Sequence, residues 1–314
     1  MSDVLTLGET MVALRGSGPL KLGGSMDLSV AGAESNVAIG LSRLGHTVRW
    51  AGAVGDDEAG ELVLRTLRAE GVDVTAATRD AAAPTGLILF EPRLPEVTRV
   101  HYYRAGSAGS RLTPDAVEAA FAAGAPRVLH LTGITPALGP SAAEACRRAL
   151  RLAREHDTQV CLDVNFRSRL WSSEQAATEL RAWLPHVDVL IASDDELPLC
   201  LPSGAATTPE QVLLDEGIRE VVVKLGARGA TVHSAEGPLH SPAREVRAVD
   251  AVGAGDAFVA GYLSALLDGA DLSTRLDRAV TTGAFAVASR GDWEGAPTRA
   301  ELKLLGAGPG TVVR

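Results

Sequence analysis

The chain has 314 residues, 46% of them hydrophobic, with a net charge of −9 and a pI near 5.3. That length holds one large α/β domain, or a domain with a smaller appendage, with a sizeable core, and the acidic balance argues against a general nucleic-acid or membrane-surface role, which needs a basic face. No apolar run approaches a bilayer span, residues 1–8 lack the basic start and apolar stretch of a signal peptide, and Cys146, Cys161 and Cys200 show no CxxC spacing; a cytoplasmic protein with buried, reduced thiols is expected.

Short apolar runs suited to buried strands occur at residues 4–7, 48–54, 128–131, 160–164, 187–191 and 221–225. Stretches with helical apolar spacing lie at 37–44, 58–69, 142–154 and 257–267. Strand and helix in alternation predict an α/β fold, a mostly parallel central sheet with helices on both faces. Asn165, Ser193, Gly226 and the loop from Gly133 then fall just past strand ends, the edge where open α/β sheets bind ligands. Segments 11–31 and 85–105 break the alternation with short strand-like pieces and are read as a small β-sheet lid inserted in one domain spanning 1–314, with ordinary loops as the alternative. Within 98–103, Val100 and Tyr102 fall on one face and His101 and Tyr103 on the other. There is no internal repeat, and the glycine-rich tail 306–314 is expected to be poorly ordered.

Several chemistries lack local support. The lysines are Lys21, Lys224 and Lys303, none followed by Ser or Thr, so no GxxxxGK[ST] phosphate loop exists. GxGxxG, GxSxG and HExxH are also missing, which removes the local signals for dinucleotide binding, a serine hydrolase and a zincin. The strongest positive signal is Asp250-Ala-Val-Gly253-Ala254-Gly255-Asp256-Ala-Phe, running into an apolar helix. Its glycines permit close backbone approach, its helix N-terminus favours phosphate, and Asp256 stands where it can take a proton from an attacking hydroxyl. Lys224-Leu-Gly226-Ala-Arg-Gly229 follows an apolar strand and would turn backbone N–H groups toward phosphate. Tyr102-Tyr103-Arg104 and Asp163-Val-Asn165-Phe-Arg167 add arginines, which pair with the two oxygens of a carboxylate in one plane. Each residue also has an ordinary reading. Asp256 can be a helix-start acid, 226–229 a plain hairpin turn, Tyr-Tyr-Arg packing with a solvated charge, Arg167 a salt-bridge partner of Asp163, and Asp292 an exposed loop acid.

The sequence resembles the ribokinase (PfkB) family of carbohydrate kinases over essentially its whole length. Asp250 to Asp256 is similar to that family's C-terminal signature. Ala31-Gly32-Ala-Glu-Ser-Asn36-Val-Ala38, with Leu-Gly45 and Gly52-Ala-Val-Gly55-Asp56-Asp57, is similar to its N-terminal one. The resemblance implies a ribokinase-like fold, with Asp256 as catalytic base and Gly253, Ala254 and Gly255 as anion hole. It also implies ATP and Mg²⁺ as cofactors, with a monovalent cation such as K⁺ as a further candidate. Asn165, Lys224, Gly226 and Gly229 would lie at the nucleotide, and Glu196 would hold Mg²⁺ through water. Within the family the chain is most similar to the 2-keto-3-deoxygluconate kinases. That implies Tyr103, Arg104 and Arg167 at the acid end of the acceptor, Gly32, Asn36 and Asp292 at its hydroxyls, and phosphorylation of the terminal hydroxyl. Four positions depart from the pattern: Ala251 for Thr, Glu34 for Pro, Ser193 for Asn, and Ile88 for a lid Tyr. A neutral acceptor (fructose, ribose or adenosine) stays open, as does a non-catalytic sugar-acid or nucleotide sensor, against which the retained Asp256 counts. Relatives imply a homo-oligomer, and Val12, Leu14, Leu28 and Val30 of the lid are the apolar positions expected to pair.

Overall fold

The computed structural model describes residues 2–94, 97–201 and 208–306. Residues 95–96 of the second lid segment and the tail 307–314 lie outside the described residues. The first half of the chain runs β1 (Val4–Leu7), β2 (Met11–Gly16), β3 (Met26–Ala31), α1 (Ala33–Arg43), β4 (Val48–Ala51), β5 (Ala53–Gly55), α2 (Glu58–Ala69), β6 (Thr78–Asp80), β7 (Leu87–Leu94), β8 (Val97–Tyr103) and α3 (Pro114–Ala122). The second half continues with β9 (Val128–Thr132), α4 (Pro140–Glu155), β10 (Gln159–Asp163), α5 (Ser173–Trp183), β11 (Val189–Ser193), α6 (Pro209–Asp215), β12 (Glu220–Lys224), β13 (Ala230–Ser234), β14 (Gly237–Ser241), α7 (Ala254–Leu267) and α8 (Leu272–Val287).

The large sheet has the order β14-β13-β12-β11-β10-β9-β1-β4. It is parallel from β4 through β12 and ends in the antiparallel hairpin β13–β14. Its strands read as unbroken apolar runs because both faces are covered. Leu5, Leu129, Leu131, Leu162 and Leu190 pack with residues of α3, α4 and α5, while Val4, Val128, Cys161, Val189 and Ile191 pack with those of α1, α7 and α8. The expected strand 48–54 is in fact two. Gly52 breaks it, since any Cβ there would overlap the Trp50 ring, and β5 swings away to pair with β6.

The lid is a separate sheet ordered β3-β2-β7-β8. Cross-strand register sorts its faces. Ser29, Ala13, Ile88 and Tyr102 share one face, while Leu28, Leu14, Leu89 and His101 share the other. Val12 and Val30 are 3% and 1% exposed within the core, so they are unavailable to a second subunit. Of the four lid positions expected at such an interface, Leu28 alone is an exposed large hydrophobic, at 60%. The Asp57 carboxylate caps α2 through Gly60 N at 2.7 Å and accepts from both Thr85 N (2.9 Å) and the Thr85 hydroxyl (2.7 Å). The N-terminal signature thus fastens the strand that re-enters the lid to the body.

Helices α1 and α7 approach through Gly40, where an added Cβ would lie 2.7 Å from the Ala260 methyl. That closeness matters because α1 carries Asn36 and α7 carries Asp256. Gly40→Leu is expected to destabilise the fold by about 1–3 kcal/mol through overpacking, despite leucine's better helix propensity. Denaturant unfolding measures this, and turnover should fall with it as the two helices part.

Candidate active site

The helix α7 begins in a loop that only glycine can close. Gly253 has φ 75°, and a Cβ there would overlap the Asp292 carbonyl oxygen. Asp250 Oδ1 accepts from Val252 N at 3.1 Å and fixes the turn. No side chain caps the helix, so its first-turn N–H groups and the positive end of its dipole are left for an anion. Asp256 stands in that first turn, 8% exposed. Asn36 Nδ2 donates to its Oδ2 at 2.8 Å, and Asn165 Nδ2 lies 3.5 Å from its Oδ1. Burial pushes the Asp256 carboxyl up to about 7; the Asn36 hydrogen bond opposes this, the Asp163 charge adds to it, and Arg167 and Lys224 pull the other way. A carboxyl poised near neutrality, next to a helix N-terminus that no side chain caps, is suited to take a proton while negative charge builds beside it.

Two cavities meet at this point. One, of ≈ 380 Å³, lies under the lid and is lined by Asn36, Arg104, Arg167, Asp256 and Asp292. The other, of ≈ 580 Å³, is mostly apolar, with Ala248, Val280, Ala284 and Val287 on one side and Gly226 and Gly229 on the other. Lys224 and Gly255 line both, and Ala254 lines the apolar one. The segment 226–229 is indeed the hairpin turn from β12 to β13, and it also forms a cavity wall. Gly229 has φ 93°, with the Ser241 carbonyl where a Cβ would be. Lys224 Nζ is 2.8 Å from Asp163 Oδ1. Burial works to lower the lysine's pKa, but the charges of Asp163 and Glu196 outweigh it and leave the ammonium charged. Asp163 is therefore taken by Lys224, and Arg167 has no ion-pair partner among the described residues. Its Nη1 donates to the adjacent Phe166 carbonyl at 3.3 Å. Asn165, in the left-handed region at φ 40°, lines the lid cavity rather than the apolar one.

Glu196 lines the lid cavity, and its two oxygens accept from Phe166 N (2.7 Å) and Ser193 N (2.9 Å), clamping the ends of β10 and β11 together. Its remaining lone pairs fit a hydrated cation. Among the described residues no three His, Cys, Asp or Glu side chains cluster as a metal cage. Gly32 lines the same cavity, with the backbone of Glu9 and Thr10 so close that no side chain fits.

The lid corrects one expectation. Tyr103 is 63% exposed on the far face, in register with Leu87, whereas Tyr102, paired with Ile88, lines the cavity. Arg104 also lines it, stacked 5.6 Å from the Tyr102 ring, but its Nε and Nη2 both reach Glu9 Oε2 at 2.6 Å. Glu9, which sequence reasoning missed, is 2% exposed and also accepts from the Ser107 hydroxyl. Glu34 was noted as a departure without a role. It is buried on the cavity wall, accepts from the Thr132 (2.5 Å) and Thr135 (2.7 Å) hydroxyls, and is pushed up by burial.

The pfkB family of carbohydrate kinases matches residues 1–299. This chain belongs to that family. A 2-dehydro-3-deoxygluconokinase of Thermoproteus tenax is 37% identical over 97% of this chain and 94% of its own. A 2-dehydro-3-deoxygalactonokinase of Haloferax volcanii is 33% identical over 93% of this chain and 92% of its own. The crystal structure of a 2-dehydro-3-deoxygluconokinase from Thermotoga maritima is similar with a TM-score of 0.88 at 26% identity, covering 97% of this chain and 98% of that one. The chain is thus a phosphotransferase with an alcohol group as acceptor, and sugar kinases of this family use ATP and Mg²⁺.

In the kinase the buried Asp256 is a cost to the fold. Its carboxyl holds a proton more tightly folded than unfolded, so stability is greatest below the ordinary value of 3.8 and declines as pH rises to about 7. Asp256→Asn should therefore stabilise the kinase at pH 8 by on the order of 1–4 kcal/mol, with the gain vanishing near pH 4. Urea unfolding at both pH values checks this, and an equal gain at both would mean that burial of the charge is not the cause.

Proposed function

We propose that this kinase moves the γ-phosphoryl group of ATP to the terminal hydroxyl of 2-keto-3-deoxygluconate, giving 2-keto-3-deoxy-6-phosphogluconate. The observation that carries the acid acceptor is Arg167, a guanidinium on the wall of the lid cavity with no counter-ion of its own among the described residues. An incoming carboxylate supplies one. The similarity to kinases named for 2-dehydro-3-deoxy sugar acids supports the same reading. Arg104 contributes less than a free arginine would, because Glu9 already neutralises it. Tyr102 replaces Tyr103 as the aromatic contact. Gly32, Asn36 and Asp292 face the acceptor's hydroxyls from the remaining walls.

The nucleotide base and ribose lie in the apolar cavity, with the triphosphate crossing Gly255 and Lys224 toward the lid cavity. Glu196 would hold the Mg²⁺ that accompanies the nucleotide through water, and the ion would neutralise phosphate charge. Asp256 takes the proton of the terminal hydroxyl as its oxygen approaches the γ-phosphorus, and the N–H groups of Gly255 and Asp256 receive the equatorial charge. Closing the lid keeps water out, so that phosphate goes to the sugar. The kinase acts in the cytoplasm as one domain spanning 1–314, with its three cysteines buried as free thiols. For K⁺ activation, Ala251 offers backbone carbonyl but no side-chain oxygen at the 250–256 loop; comparing rates in KCl and in an organic-cation chloride tests that role.

A coupled ADP-release assay against 2-keto-3-deoxygluconate, 2-keto-3-deoxygalactonate, gluconate, fructose, ribose and adenosine tests the acceptor. Preference for a 2-keto-3-deoxy acid is expected. Preference for a neutral sugar would discard the role of Arg167 and turn attention to the apolar ceiling that Ile88 forms with Met11 and Phe90. Asp256→Asn should lower turnover by ~10²–10⁴ with little change in acceptor affinity. Arg167→Ala should raise the acceptor KM more than the ATP KM.

The outer lid face, with Leu28, Met26 and Tyr103 exposed, is proposed to pair with a second copy of the chain. Light scattering on Leu28→Glu is expected to show a smaller species than the unsubstituted kinase; equal masses would exclude this face.

A further inference from the structure

Arg15 has no part in the reading above, yet it joins the lid to two loops of the acceptor site. It lies on β2, in register with Phe90, and its guanidinium carbon sits 4.0 Å over that ring. Nη2 donates to Asp292, and Nη1 lies 3.3 Å from Asp250 Oδ2. The two carboxylates belong to separate loops of the body. Asp250 starts the turn into α7. Asp292 follows Gly291, and its carbonyl oxygen fills the space beside Gly253. A single side chain from the lid therefore grips both loops that form the floor of the catalytic centre, 235 and 277 residues away.

We propose that Arg15 is a positioning residue that couples seating of the lid to the acceptor subsite, by holding Asp292 ionised and fixed where an acceptor hydroxyl donates to it. When the lid seats it shuts Asp292 away from water, and Arg15 arrives with it as the counter-charge. Burial pushes Asp292 up to about 6, Arg15 restrains that rise, and Glu294 and Asp250 add to it; these are the charged groups that face the carboxyl. Without Arg15 the Asp292 carboxyl titrates at higher pH and accepts hydrogen bonds poorly near neutrality. A hydroxyl-binding acid is thereby kept ionised and fixed as the lid closes over it, which ties acceptor affinity to the state that excludes water.

The inference rests on the sugar-kinase reading but not on which sugar is taken. Acceptor binding is measured by calorimetry from pH 5 to 8, using the sugar that the acceptor panel prefers. All variants carry Asp256→Asn, which removes the titration at the catalytic position. Adding Arg15→Met should weaken binding roughly 10–100-fold at pH 7, the scale of a lost charge-assisted hydrogen bond, and move the acid-side loss of binding to higher pH. Adding Asp292→Asn should abolish that pH dependence, and Arg15→Met on top of it should then cost no more than about threefold. Arg15→Lys, which keeps the charge, should hold the pH dependence near that of the parent and carries the comparison should the Met variant not fold. Equal losses with and without Asp292, or an unmoved acid limb, would overturn the proposal. A parent kinase that turns over no acceptor would instead sink the kinase reading.

Discussion

Everything in the site is arranged around one buried carboxylate. Asp256 is placed at a helix N-terminus, which favours its charge, and is 8% exposed, which opposes it. Burial wins, and the group titrates near neutrality. For this to hold, α1 must lie close enough for Asn36 to reach Asp256, which Gly40 allows, and the loop must turn sharply enough to leave first-turn N–H groups uncapped, which Gly253 allows. A carboxylate at the surface would be fully ionised but a weak base, and one without Asn36 would be held protonated. The geometry keeps it between these limits.

The charges around it are paired so that few remain unspent. Lys224 is bound to Asp163, Arg104 to Glu9, and Arg15 to Asp250 and Asp292. Each pair keeps a buried charge from standing alone. Arg167 is the exception among the cavity cations. Two anionic substrates must enter a pocket that already carries Glu9, Glu34, Glu196 and Asp292. Preformed neutral pairs make that entry tolerable, and the unpaired guanidinium gives it direction.

Sequence reading found what depends on local chemistry. Gly253, Gly255, Asp256, Gly226 and Gly229 are recognisable because a left-handed turn or a helix start needs those residues at that spacing, and the parallel sheet is legible in its apolar runs. It failed where the answer lies across the fold. Alternation shows that Tyr102 and Tyr103 point opposite ways, but not which face meets the cavity; the pairing of Ile88 with Tyr102 decides that. Val12 and Val30 look like an exposed apolar stripe, and only tertiary packing reveals them as core. Glu9 and Arg15 could not be found at all, since their partners are 95 to 277 residues distant and neither belongs to a motif. Asp57 was legible as signature but not as fastener, because its partner Thr85 begins the next lid segment.

The two cavities differ in kind, and that difference suits the reaction. The nucleotide side is walled mostly by apolar residues, with Arg244 and Glu245 also on its lining, so it holds a base mainly by shape and burial. The acceptor side is crowded with paired ions that water would otherwise screen. Among the described residues Lys224, Ala251 and Gly255 border both; Lys224 brings a buried ammonium and Gly255 a backbone N–H at the end of a helix dipole. A phosphoryl group passing between the two sides therefore meets N–H donors and the positive end of a helix dipole at the crossing itself, where transfer builds negative charge. Since such stabilisation is strongest when water is absent, the lid serves the electrostatics of transfer as much as the protection of ATP.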